Sequence, residues 1–153
     1  MSLHPQNVQN LLQSVWQLLL KSPLEDGHGV VATAAEDPDL LRCVARITGE
    51  WNGRVILVCG RAHARTLLAN ALRMKEAEVE GDMVEDLVAE LLNIVTGNLK
   101  GAMPGDTIQS TPELISRADA RPQPSEKCIL ELECQSGEHP VWLFVMEAGH
   151  SIN

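Results

Sequence analysis

The stretch Leu40–Gly60, LLRCVARITGEWNGRVILVCG, limits what this chain can fold into more than any other. Its second half, Val55 to Cys59, is apolar at every position, which predicts a central strand rather than an edge. Its first half places Cys43, Ala45 and Ile47 on one face of a second strand. Between them lies Asn52-Gly53, a common signal for a tight type I′ hairpin turn, since both residues tolerate positive φ. The fold therefore has to be built around an antiparallel pair with one strand inside the sheet.

The remaining segments supply the helices and further strands. In PQNVQNLLQSVWQLLLK, residues Val8, Leu11, Leu12, Val15, Trp16 and Leu19 recur at helical spacing and predict an amphipathic helix, ended by SPLEDGHG. VVATA is a candidate short strand. RAHARTLLANALRM reads as a helix with Ala64, Leu67, Leu68, Ala71 and Leu72 inward, and an acidic connector leads to a long helix from about Met83 to near Lys100. GAMPGDTIQS is a Gly/Pro-marked loop, TPELISRA a strand starting at a proline, and DARPQPSE a surface loop. KCILELECQ alternates, with Cys128, Leu130, Leu132 and Cys134 on one face, and a short turn at SGEH returns it as VWLFVME. No repeat is visible. This order predicts an α+β fold, a mostly antiparallel sheet packed against long helices.

Bulk properties narrow the function. A length of 153 residues favours one domain, residues 1–153, with a sizeable core. The net charge of −9 argues against nucleic acid or an anionic membrane as the main partner, because both require a basic surface. No stretch reaches the roughly 18 apolar residues of a membrane span, and the start lacks the pattern of a signal peptide. The cysteines, Cys43, Cys59, Cys128 and Cys134, form no CxxC pair and sit in strand-like apolar runs, as buried thiols of a reducing cytoplasm do. The histidines are scattered without metal-site spacing, so no metal site is expected.

The long helix carries the functional signal. Val84, Leu87, Val88, Leu91, Val95 and Leu99 form its apolar stripe, while Asp86, Glu90, Asn93 and Gly97 share the opposite face. Glu90 and Asn93 are three apart and hence neighbours. A solvated face explains a glutamate. Asparagine and glycine within a helix each lower its stability, by roughly half and 1 kcal/mol relative to alanine. A glycine on that face would let a partner backbone come close; the alternative is a helix C-cap at Gly97 followed by Asn98.

DLVAELLNIVTGNLKG resembles the signature of the CheX/CheC/FliY chemotaxis phosphatases, particularly CheX: an Asp or Ser, three residues, a Glu, two residues, an Asn, then a proline about twenty residues on. Asp86, Glu90 and Asn93 fit in register, Gly97 continues the pattern, and Pro112 of STPELI matches the proline. The hairpin, the alanine-rich helix after it and the closing hairpin are similar too, so the resemblance covers roughly residues 5 to 147. CheC-like members carry a second motif on the first helix. Here that helix reads QNVQNLLQ, with no Glu three residues before an Asn, which implies one centre per chain.

The resemblance implies a substrate and a mechanism. The substrate is a phosphorylated CheY-like receiver domain, whose aspartyl phosphate sits beside a Mg²⁺ held by the receiver; no cofactor is expected on this chain. Asn93 would orient the attacking water and Glu90 would pair with the receiver's lysine, with Asp86, Gly97 and Pro112 at the partner-binding surface. A cytoplasmic homodimer is implied as well. The alternative from another class is a non-catalytic docking or assembly module, like the related middle domain of the flagellar switch protein FliM.

Overall fold

The computed structural model describes residues 3–30 and 37–149. Along the chain lie α1 (Pro5–Leu20), β1 (Glu25–Asp26), β2 (Leu40–Gly49), β3 (Gly53–Gly60), α2 (Arg61–Leu72), α3 (Gly81–Lys100), β4 (Thr107–Gln109), β5 (Glu113–Leu114), α4 (Arg117–Ala120), β6 (Lys127–Ser136) and β7 (His139–Glu147). The strands form one antiparallel sheet in the order β1-β6-β7-β3-β2-β4, with β5 also pairing β2. This is the α+β architecture expected from the sequence. The expected strand VVATA lies, apart from Val30, outside the described residues.

The strand order is a palindrome of two halves. Each half is a helix, a short strand and a hairpin, and each short strand crosses over: β1 joins β6 of the second hairpin, and β4 joins β2 of the first. Helices α1 and α3 hold equivalent places. No sequence repeat announces this.

Strand β3 is central, as its composition demands. Val55, Leu57 and Cys59 join the main core, with α1, α2 and α3 packed over that face. Ile56 and Val58 point the other way, into a smaller cluster with Val44, Trp142 and Met146. Both faces of the strand are dry, so a polar residue at either would lose its hydration.

The second face is closed by two clips. Glu133 Oε1 accepts backbone N–H bonds from His28, Gly29 and Val30 at 2.8, 2.8 and 3.1 Å, fastening that segment over the sheet. Arg54 does the same for the segment after α4. Its guanidinium donates to both carboxylate oxygens of Glu126 at 2.7 Å, to the Asp119 carbonyl at 2.7 Å and to the Arg121 carbonyl at 3.1 Å. The two side chains are only 8% and 7% exposed, so this is a buried, bidentate pair. Burial pushes the Glu126 carboxyl up, but the Arg54 hydrogen bonds outweigh it and hold the group below its ordinary range.

Five local expectations fail for physical reasons. The first hairpin has no type I′ turn: the last pair is Ile47↔Gly53, and neither Asn52 nor Gly53 has positive φ. Instead Trp51 folds inward, donating to Glu147 Oε2 at 2.6 Å, and its ring lies where a side chain at 53 would sit. Gly53 is therefore a space requirement. Leu72 is 50% exposed because α2 ends there in the left-handed turn at Arg73, and Ala69 faces the core instead. Part of the expected loop after α3 is strand β4. The strand expected over TPELISRA is confined to Glu113–Leu114, because the Ser116 side chain accepts from the Asp119 N–H and caps helix α4. Cys128 is exposed, because the register shift between Cys128 and Leu130 turns it off the face that Leu130, Leu132 and Cys134 share. The other three cysteines are buried, and all four are free thiols in strands.

Candidate functional site

Helix α3 is a two-sided element. Val84, Val88, Leu91, Leu92, Val95, Thr96 and Leu99 are buried, with Leu87 partly so. Asp82 in the first turn and Lys100 in the last suit the helix dipole. Asp86, Glu90, Asn93 and Gly97 are exposed on the outer side, as the spacing predicts. The helix runs on to Lys100, so Gly97 is interior and is not the C-cap.

The second wall comes from the β4–β5 excursion. Gln109 pairs with Ile47 and Leu114 with Cys43, so residues 110–112 arch outward between two stretches hydrogen-bonded to β2. Ser110 pins this arch: its backbone N–H donates to the Arg46 carbonyl at 2.8 Å, and its Oγ accepts from the Arg46 N–H at 2.9 Å. The result is an open cleft of about 280 Å³ lined by Asp86, Ala89, Glu90 and Asn93 on one side and Gln109, Ser110, Thr111 and Pro112 on the other. Four of the five residues singled out from the sequence, Asp86, Glu90, Asn93 and Pro112, meet there. Gly97 lies one turn further, where an added Cβ would find the Gln109 amide oxygen at 3.5 Å.

The sequence reading missed Gln109. Its Nε2 donates to Asn93 Oδ1 at 2.9 Å and to the Asn93 backbone carbonyl at 3.2 Å. It sits in a three-residue strand, too short for periodicity to expose it. Asp86 and Glu90, by contrast, make no hydrogen bond or ion pair to any described residue, whereas neighbouring Glu85 pairs with Arg61 at 3.1 Å. The cleft therefore presents two uncompensated carboxylates beside a held amide. That arrangement can receive a cation and orient a small hydrogen-bonding molecule next to it. Among the described residues, no group of three or more His, Cys, Asp or Glu side chains is placed to hold a metal ion. No helix among them is long and apolar enough to cross a membrane.

The symmetry-equivalent place beside α1 differs. A larger open cleft of about 810 Å³ there is lined by Asn10, Gln13, Gln17 and the Pro23–His28 segment. Gln9 and Gln13 both donate to Asp26 Oδ1, at 2.5 and 3.4 Å, and no acid-and-amide pair with the Glu90–Asn93 spacing is present on that helix.

A family model described as chemotaxis phosphatase CheX matches residues 41–135, which include the first hairpin, the whole of α3 and Pro112. The chain belongs to the CheX family. Among curated proteins, none matches the sequence. Solved structures share the fold. CheX of Borrelia burgdorferi, solved in a complex with CheY, BeF3 and Mg²⁺, aligns at a TM-score of 0.69 with 12% identity over 94% of this chain and 96% of that one. CheX of Vibrio vulnificus aligns at 0.66 with 14% identity over 92% and 93%. FliM of H. pylori, solved in a complex with SpeE, shares the fold as well, aligning at 0.59 with 15% identity over 95% of this CheX-family chain and 83% of that one.

Proposed function

We propose that this CheX-family protein hydrolyses the aspartyl phosphate of a CheY-like receiver domain, with Asn93 orienting the attacking water and Glu90 docking the receiver's lysine. One observation carries the reading: an unpaired Glu90 and an exposed Asn93 lie one helical turn apart in an open cleft, on a chain of a chemotaxis phosphatase family. The water oxygen forms a new bond to phosphorus as the acyl P–O bond breaks. The electron pair stays on the receiver's aspartate as carboxylate, and the water's proton leaves with inorganic phosphate.

Phosphoryl transfer of this kind rewards positioning. The receiver arrives with its own Mg²⁺ and charge stabilisation, so this chain needs to add only an oriented water. An amide suits that task because its oxygen accepts from water and it does not titrate near neutral pH. A hundredfold acceleration requires about 2.7 kcal/mol, within the scope of one oriented water. Asp86, Gly97 and Pro112 complete the docking surface: an added acid, a face without side chain, and the opposite lip. The protein acts in this reading as a single domain, homodimeric and cytoplasmic.

The experiment is decay of a phosphorylated receiver with and without the protein, paired with titration of a BeF3-activated receiver against wild type and Glu90→Ala. Faster decay, and weaker binding by the variant, are expected. Binding without any acceleration favours the second reading, a docking or assembly module, which the likeness to FliM supports.

A further inference from the structure

The two hydrogen bonds from Gln109 determine which way the Asn93 amide faces. A backbone carbonyl only accepts, so donation from Gln109 Nε2 to the Asn93 carbonyl at 3.2 Å fixes the NH2 side of Gln109 toward Asn93. The Asn93 side chain must then meet that NH2 with its oxygen, and does so at 2.9 Å. The reverse orientation would set two NH2 groups against each other. Orientation of an amide is usually ambiguous by itself; here the backbone contact resolves it.

Resting on the phosphatase reading, we propose that Gln109 is a positioning residue: it holds Asn93 with its amide plane and oxygen preset before the receiver docks. An amide oxygen has two lone pairs. Gln109 occupies one, leaving the other for the attacking water. The Asn93 NH2 group meets no acceptor among the described residues and is left to donate to the incoming substrate. An exposed asparagine would otherwise sample several rotamers, and docking would have to freeze them. Gln109 can do this because it is itself fixed: it lies in β4, paired to Ile47, and its neighbour Ser110 is tied to the Arg46 backbone. Gly97 leaves the space beside its amide oxygen open.

The test is turnover and half-saturation of a phosphorylated receiver with Gln109→Ala, with Asn93→Ala as the inactive reference. Gln109→Glu is added because it keeps the shape but removes the donor. Both Gln109 variants should lower turnover roughly 10-fold with half-saturation unchanged for Gln109→Ala. In side-chain amide NMR spectra, the Gln109 Nε2 resonances should move when Asn93 is replaced. Full turnover in Gln109→Ala, or Gln109 resonances indifferent to Asn93→Ala, would overturn the positioning role alone. Full turnover in Asn93→Ala would instead bring down the phosphatase reading, and this role with it.

Discussion

Replacing Arg54 by methionine keeps the apolar stem but strands a carboxylate. Glu126 would remain 7% exposed without its ion-pair partner, keeping only the Gln123 N–H and the more distant charge of Arg46, and the Asp119 and Arg121 carbonyls would lose their donor. Breaking a buried pair from one side typically costs about 3–5 kcal/mol. The carboxyl has one escape, which is to take up a proton. From an ordinary carboxyl value, neutralising it at pH 7 costs about 3.7 kcal/mol, at roughly 1.4 kcal/mol per pH unit. That caps the loss at neutral pH and makes it shrink by the same step as pH falls toward 5. For a chain of this size the melting temperature should drop by about 10 °C at pH 7. Thermal unfolding of Arg54→Met from pH 5 to 8 reads both magnitude and slope. The double variant Arg54→Met/Glu126→Leu should recover most of the loss, since an apolar pair replaces an ionic one at little cost. In the wild type the sign is the opposite. The Glu126 carboxyl is held low in the fold, so its contribution is complete above the unfolded value and fades as pH falls through the folded one. A loss in Arg54→Met below about 1 kcal/mol, flat with pH, would refute the buried-pair reasoning.

Three further outcomes follow from particular contacts. Gly97→Ala should raise stability by about 0.5–1 kcal/mol, because the site is helix interior and the new Cβ makes only ordinary contact with Gln109; a lower melting temperature would contradict this. With a thiol reagent in the native protein, Cys128 should label while Cys43, Cys59 and Cys134 resist; burial holds those three thiols up at about 11, 12 and 11, and mass spectrometry of the digest would show any other pattern. His63 stacks on His139 at 4.0 Å, and burial and that neighbour lower its proton affinity, so stability should decline as pH falls below about 6.5; His63→Gln should flatten denaturant midpoints between pH 7 and 5.

How far the sequence reached depends on segment length. Periodicity locates α1, α2 and α3 and predicts the exposed side of α3, because sixteen, twelve and twenty residues give it several turns to repeat. The apolar run of β3 announces a central strand. Strands β1, β4 and β5 have two or three residues and are defined by what they pair with, so neither the palindromic sheet nor Gln109 was visible. Gly53 was legible as important but for the wrong cause: Trp51, folding inward, needs its space. Cys128 shows a related limit, since one bulge reverses a perfect alternation. At the candidate site, the helix supplied the residues in advance and the β4–β5 arch supplied the cleft, which only tertiary structure could show.

The central claim is that Asn93 acts on the attacking water. It is tested most directly by inorganic phosphate release against concentration of a phosphorylated receiver, comparing wild type with Asn93→Ala. An exposed helical asparagine contributes little to stability, and alanine is the better helix former, so the variant should melt at the same temperature or higher. Turnover should be abolished while receiver binding persists; Glu90→Ala in the same assay should raise half-saturation as well. Unchanged turnover in a folded Asn93→Ala protein would contradict the account.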